Sequence, residues 1–174
     1  RTGTKKYLFK THDDLVVESV VIPDPKRITL CISTQVGCPL DCQFCATGLM
    51  GYKRNLSSAE IIDQFLMVSR DYGKNKISNI VYMGMGEPLD NTDELFKVLE
   101  ILTAPYGYAW SPKRITVSTI GAKGLKRFLD ESDCHLAVSL HSPYPAERLS
   151  LMPVEKAFPM HGVLDLIRQY DFTH

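Results

Sequence analysis

No apolar run in the 174 residues approaches the roughly 18 that a membrane-spanning helix needs. No charged-then-apolar leader opens the chain either, so the expected location is cytoplasmic, with no membrane partner. No charge of one sign dominates: Lys plus Arg is 20 and Asp plus Glu is 20. That balance argues against a polyanion binder working through bulk charge, although local basic clusters remain open. Internal repeats and low-complexity tracts are missing, and 44% apolar with 23% charged residues excludes disorder and fibrous architecture. The chain also lacks an initiating Met and stops at Asp171-Phe172-Thr173-His174 without a closing signal, so it reads as a piece of a longer protein. Its length suits one domain, or most of one, with a real core.

An even set of spaced cysteines is missing as well. The five are Cys31, Cys38, Cys42, Cys45 and Cys134, with four of them packed into fifteen positions. In a cytoplasmic chain such clustering points to metal ligation or redox chemistry rather than to a disulfide framework.

Lys5–Lys10 and Leu15–Ile22 are short strand-like runs joined by Thr11-His12-Asp13-Asp14, a hairpin that Pro23-Asp24-Pro25 ends. Residues 1–25 are thus an N-terminal hairpin extension, and 26–174 form the core. From Arg27 the pattern alternates: strands over Arg27–Ser33, Ile77–Met83, Arg114–Ser118 and His135–Leu140, helices over Ser57–Asp71, Thr92–Leu102, Ala122–Glu131 and Gly162–Tyr170. Ser57 and Glu60 have capping-box spacing at the first helix. Alternation of this kind predicts right-handed βα units on a parallel sheet, an α/β fold. A complete eight-unit barrel takes about 250 residues, so the chain holds about five units at most. The fold is a partial or truncated (β/α) barrel.

Side chains alternate across a strand. Ile28, Leu30 and Ile32 oppose Thr29, Cys31 and Ser33; Ile115 and Val117 oppose Thr116 and Ser118; Leu136, Val138 and Leu140 oppose Ala137, Ser139 and His141. One face is aliphatic, as packing under helices requires, and the other is small and polar. Because parallel strands are rarely exposed on either face, the small polar face is read as a ligand-holding barrel interior. A two-sided sheet with one solvated face is the alternative.

Cys38, Cys42 and Cys45 form C-x3-C-x2-C on a loop after the first of these strands. Three thiolates hold three corners of a cubane 4Fe-4S cluster, which normally takes four, and the vacant corner is open to a substrate. The competing reading is a zinc site closed by Cys31 or Cys134.

The cysteine loop with its Phe44, at the C-terminal end of the first strand of a partial barrel, resembles the radical S-adenosylmethionine superfamily. Thr34-Gln35-Val36-Gly37-Cys38, Cys45-Ala46-Thr47-Gly48 and Arg54-Asn55-Leu56 narrow the match. So do Met83-Gly84-Met85-Gly86-Glu87-Pro88-Leu89, Val117-Ser118-Thr119 and Ser139-Leu140-His141. Together they resemble the dual-specificity 23S rRNA and tRNA adenine-C2 methyltransferases over nearly the whole chain. The resemblance implies that Cys38, Cys42 and Cys45 hold the cluster and that S-adenosylmethionine lies against Gly86, Glu87, Ser118, Ser139, Leu140 and His141. From the residues alone, Gly84-Met85-Gly86 is also an ordinary turn, Leu140 offers backbone at most, and a structural hydrogen bond suits His141 as well as a ligand role does. Glu87, before Pro88, is held extended, which suits a carboxylate aimed at a cation.

In the resembled family a cysteine at the place of Cys31 resolves a covalent protein–RNA intermediate by forming a disulfide, and Glu18 matches the proposed proton acceptor. By pattern Glu18 is one carboxylate between Val16 and Val20, and either a base with burial-raised pKa or an edge-strand gatekeeper fits. Cys134 has no matching role and is read as structural. Adenine C2, between two ring nitrogens, is too electron-poor to attack a sulfonium methyl, which explains the need for radical chemistry. The family scheme uses two S-adenosylmethionine molecules: one methylates a cysteine, the other yields the 5′-deoxyadenosyl radical that abstracts hydrogen from that methyl. The carrier cysteine falls beyond His174, so this stretch alone is expected not to turn over. Implied partners are 23S rRNA, tRNA and an electron donor such as flavodoxin, with a monomer expected. Lys53-Arg54, Lys113-Arg114 and Lys123/Lys126/Arg127 are candidate phosphate contacts or ordinary solvated faces. Three alternatives stay open: an adenine-C8 methyltransferase acting on the same ribosomal nucleotide, a radical-activating enzyme acting on protein, and a zinc-stabilised interaction module.

Overall fold

The computed structural model describes residues 3–73 and 75–172. Strand β1 (Lys5–Lys10) pairs antiparallel with β2 (Val16–Asp24), from Lys5 opposite Val21 to Lys10 opposite Val16. The prolines do not end β2. It runs to Asp24 and turns back into β3 (Arg27–Cys31), with Val20 opposite Cys31 and Asp24 opposite Arg27. Pro23 is tolerated because β1 has ended opposite Val21, leaving one edge of β2 without a ladder there. The hairpin is therefore continuous with the core sheet.

Two short strands follow, β4 (Gln35–Val36) and β5 (Arg54–Asn55), flanking helix α1 (Ala46–Leu49). Then come α2 (Ser58–Tyr72), β6 (Asn79–Tyr82), α3 (Thr92–Thr103), β7 (Ile115–Thr119), α4 (Leu125–Glu131), β8 (His135–Val138), α5 (Pro145–Leu151) and α6 (Met160–Ile167). The main sheet has the order β1-β2-β3-β6-β7-β8, and every pair from β3 onward is parallel. The open α/β half-barrel expected from the alternation is what forms. Among the described residues no helix is long and apolar enough to cross a membrane.

The capping box at α2 is complete: the Ser57 hydroxyl accepts from the Glu60 amide while the Glu60 carboxylate accepts from the Ser57 amide. It satisfies donors that a helix start otherwise leaves orphaned. The helix then buries Ile61, Phe65 and Val68, each contributing about 1.5–3 kcal/mol by leaving water. They join Val17, Val21, Leu30, Ile80, Tyr82, Ile115 and Val117 in one core on the helix-covered face. Gln64 crosses from α2 into the sheet: it accepts from the Ser19 hydroxyl at 2.7 Å and the Ser33 amide at 3.0 Å, and donates to the Ser33 carbonyl at 2.9 Å. This hub closes the C-terminal end of β3, where the cysteine loop begins.

Candidate cofactor site at the C-terminal rim

The cysteine loop is closed at its base like a purse. Gln35 faces Asn55 and Val36 faces Arg54, and the Lys53 amide donates to the Val36 carbonyl at 2.9 Å. Gly37 turns with φ +74° and its missing Cβ leaves room for the Gly51 carbonyl. Inside the loop the Cys45 amide donates to the Cys42 carbonyl at 3.0 Å, and α1 starts immediately after Cys45. The loop docks outward through the Gln43 amide, 2.9 Å from the Leu151 carbonyl at the end of α5. Phe44 rests against the His141 ring, centroids 4.4 Å apart.

Arg54 locks the base of the loop to the hairpin. Its guanidinium donates to both Asp13 carboxylate oxygens at 2.8 Å and to Glu60 at 2.8 and 2.9 Å. These bonds hold Asp13 well below the usual carboxylate range and Glu60 down to about 2. Arg54 is thus not free for phosphate. Nor are three other basic candidates. Arg114 donates to the Ser78 and Ile77 carbonyls and stacks on Trp110, Lys126 pairs with Asp130, and Arg127 bridges Asp93 and Glu131. Lys53, Lys113 and Lys123 make no ion pair among the described residues.

Segment 83–89 lies beside the loop. The Thr34 and Gln35 amides donate to the Met85 carbonyl at 2.9 and 3.2 Å, and the Met85 amide donates to the Ser33 hydroxyl at 2.9 Å. Gly86 has φ +95°, and the space a Cβ would take is filled by the Gln35 side chain, whose Oε1 accepts from the Glu87 amide at 2.9 Å. Glu87 is 3% exposed, and its carboxylate accepts from the Leu89 amide at 3.2 Å and the Ile120 amide at 3.1 Å. Through these two bonds it clamps two loops together.

Burial pushes the Glu87 carboxyl up to about 7, against the pull of Thr119 and the two amides. Between about 4.5, where the unfolded carboxyl titrates, and about 7, the native state holds the extra proton. This group's contribution to stability therefore falls as pH rises through that window. Glu87→Gln removes the slope: comparing urea unfolding of the cluster-free protein at the two ends, the variant loses less than the parent by up to about 3 kcal/mol. Equal slopes in both proteins would contradict the assignment.

The small polar face is the concave interior. Register places Thr29 with Asn79, Cys31 with Val81 and Thr116, and Ser118 with Ala137 on it. Ser118 and Ser139 hydroxyls stand 3.4 Å apart. After Val138 the strand ends; Leu140 is 43% exposed and His141 is exposed with φ +57°. Cys31 is a free thiol, as are the other four cysteines. Burial is the main cause raising Cys31 to about 11, with the Glu18 charge adding to it, while the Met83 backbone opposes. Glu18 itself is not enclosed by its valines: its side chain is 36% exposed and pairs with Lys6 at 2.8 Å. Cys134 is partly buried and packed against the core, in keeping with a structural role.

Sequence reasoning missed the group beneath the rim. Arg148 is fully buried; it donates to the Leu140, Ile120 and Ser139 carbonyls at 3.2–3.3 Å and pairs with buried Glu155. Its charge also favours the thiolate of Cys42. Nothing in local periodicity marks it, since α5 has only seven residues.

An open α/β half-barrel whose C-terminal rim carries a closed three-thiol loop, a glycine-lined turn and facing serines defines a cofactor-dependent enzyme core of the cysteine-loop kind. The chain belongs to the Radical SAM superfamily, which it matches over residues 32–173. It is 65% identical to the probable dual-specificity RNA methyltransferase RlmN of Parabacteroides distasonis, over 100% of this chain and 50% of that protein. Against the protein of the same name from Porphyromonas gingivalis identity is 63% over 98% and 49%. Against the dual-specificity RNA methyltransferase RlmN of Syntrophobacter fumaroxidans it is 49% over 97% and 50%. A crystal structure of a radical SAM methyltransferase from Sphaerobacter thermophilus superposes with TM-score 0.91 at 39% identity, covering 96% of this chain and 50% of that one. The chain spans about half the length of the curated relatives it matches.

Membership implies a 4Fe-4S cluster and S-adenosylmethionine, and the donor set fits. Burial holds the Cys38 thiol up at about 11 and raises Cys42, and the neighbouring thiols reinforce both shifts. Thiols so placed become thiolates only when a cationic centre binds them. Among the described residues no three His, Cys, Asp or Glu side chains converge as the ligands of a single ion do. A cubane carries each thiolate on its own iron, so Cys38, Cys42 and Cys45 need not converge to hold one.

Proposed function

We propose that this chain is the cofactor-binding core of an RNA methyltransferase that methylates adenine C2 in 23S rRNA and in tRNA. The reading is carried by one observation: Glu18 and Cys31 stand on one face of the sheet beside the cysteine loop, Val20, two residues from Glu18, lying directly opposite Cys31. The names of the relatives support the RNA substrate, and Gly86-Glu87-Pro88-Leu89 favours C2 over C8. When bound, the cluster and S-adenosylmethionine supply the electron and the radical. Cys38, Cys42 and Cys45 hold the cluster; Gly86, Glu87, Ser118, Ser139, Leu140 and His141 surround the sulfonium cofactor, Leu140 through its backbone. The carboxylate of Glu18 accepts the proton leaving C2, and Cys31 supplies the thiol that releases the product. A flavodoxin-type protein in the cytoplasm delivers the electron.

The test uses the full-length protein, reconstituted without oxygen and incubated with RNA, reductant and S-adenosylmethionine. Nucleoside mass spectrometry is expected to show 2-methyladenosine; 8-methyladenosine or no product overturns the reading. Residues 1–174 alone are expected to bind iron and sulfide yet form no 2-methyladenosine. Zinc in place of iron would favour a zinc-stabilised interaction module.

A further inference from the structure

We propose that Lys6 is the positioning residue for Glu18, its ammonium holding the carboxylate at the rim of the interior face for proton removal from the bound base. The proposal rests on the reading of Glu18 as proton acceptor given above.

The geometry begins with register. Lys6 lies opposite Val20, and Val20 lies opposite Cys31, so the three form one row across β1, β2 and β3. Glu18 stands two residues from Val20 on the same face, one step nearer the rim, with Leu8 directly opposite. The Ser33 hydroxyl donates to the Glu18 carbonyl at 2.6 Å and pins that backbone at the end of β3. Lys6 therefore reaches diagonally toward the rim, and its Nζ lies 2.8 Å from Glu18 Oε2. Active sites of βα barrels lie at this end of the strands.

The surroundings say why a cation is needed. On this face Glu18 is bordered by Val16, Val20 and Leu8, which offer no hydrogen bond. Among the described residues the charged and titratable groups facing it are few. β1 contributes Lys6 and Lys10, and Lys10 is taken by Asp14 at 2.7 Å; β3 contributes Cys31. α2 lies on the opposite face, where Gln64 meets Ser19. A carboxylate left alone there samples several rotamers, whereas a charge-assisted bond to a lysine selects one. The pair is solvent-accessible on this chain, 58% and 36% exposed. Such pairs add little to stability, so removing Lys6 leaves the protein folded.

The proton step follows formation of the new carbon–carbon bond at C2: in that adduct the C2–H bond breaks, the proton passes to a Glu18 oxygen and the electron pair stays on the ring. The test uses full-length, cluster-loaded enzyme with RNA carrying hydrogen or deuterium at C2 of the target adenine. Lys6→Met is expected to slow methylation roughly 10²-fold, the scale of a small misplacement of a reacting group. Its hydrogen-to-deuterium rate ratio should also rise above the parent's, because C2–H cleavage becomes limiting. Lys6→Arg is expected to restore both rate and ratio. Adding Lys6→Met to Glu18→Gln should cost nothing beyond Glu18→Gln alone. If Glu18→Gln is slow but Lys6→Met is not, or is slow with an unchanged ratio, the role of Lys6 is overturned. If Glu18→Gln itself turns over at the parental rate, the assignment of the base fails, and the proposal with it.

Discussion

Replacing Arg148 by Met lowers the free energy of unfolding by about 3–5 kcal/mol, the scale for leaving one member of a buried ion pair behind. The loss has two parts. Among the described residues Glu155 keeps only the Met160 amide, at 3.1–3.2 Å, as partner in a site where it is 6% exposed. The Ile120 and Ser139 carbonyls also lose the donor that Arg148 gives them, while the Leu140 carbonyl keeps the Ser142 amide at 2.7 Å; each buried acceptor left unpaired costs about 1–3 kcal/mol where water does not reach it. A double variant separates the parts. Arg148→Met with Glu155→Met removes the stranded charge, so it recovers a portion of the stability but not the carbonyl portion. Urea unfolding of the cluster-free protein reads both. A single-variant loss under about 1 kcal/mol, the worth of an exposed pair, would show that Arg148 is not the keystone described.

Arg148 also illustrates where sequence reading stops. The βα alternation was legible because each strand and helix carried its own period. The Ser57/Glu60 spacing put the start of α2 within one residue of where it forms, and the two strand faces divided as expected. The three-cysteine loop was legible because Cys38, Cys42 and Cys45 lie close together in the chain, and the structure closes that loop at its base. Arg148 was not, because its partners Ile120 and Ser139 lie on other elements, and arginine is ordinarily a surface residue. The same blindness affected the basic clusters. Arg54 and Asp13 are 41 residues apart and Arg127 and Asp93 are 34 apart, so no local pattern could say that these cations were already engaged. The two-residue ladder of β4 and β5 is too short to leave any periodicity. Lys6 is a further case: the carboxylate it serves was visible between two valines, but its partner strand was needed to place the ammonium.

Gly37→Ala is expected to abolish cluster binding while Gly51→Ala, across the same loop neck, does not. Both glycines have positive φ, +74° and +67°, and an L-residue there pays about 1–2 kcal/mol for the left-handed backbone. That cost is common to the two. The difference is steric. A Cβ on Gly51 meets nothing within 4 Å, whereas one on Gly37 falls 1.8 Å from the Gly51 carbonyl oxygen and 3.2 Å from the Tyr52 Cα. Those contacts are backbone, so no side chain can swing aside. The neck must open by more than an ångström to restore ordinary contact. Cys38 is the next residue, so the first ligand moves with the neck while Cys42, docked through its neighbour Gln43 onto α5, stays. Iron and labile sulfide per chain, measured after anaerobic reconstitution, are expected near the parental level for Gly51→Ala and near background for Gly37→Ala. Circular dichroism should report folded protein in both cases, because the neck lies outside the six-stranded sheet. A Gly37→Ala protein that loads iron and sulfide as the parent does would mean that the closed neck is not what holds the three thiols in place.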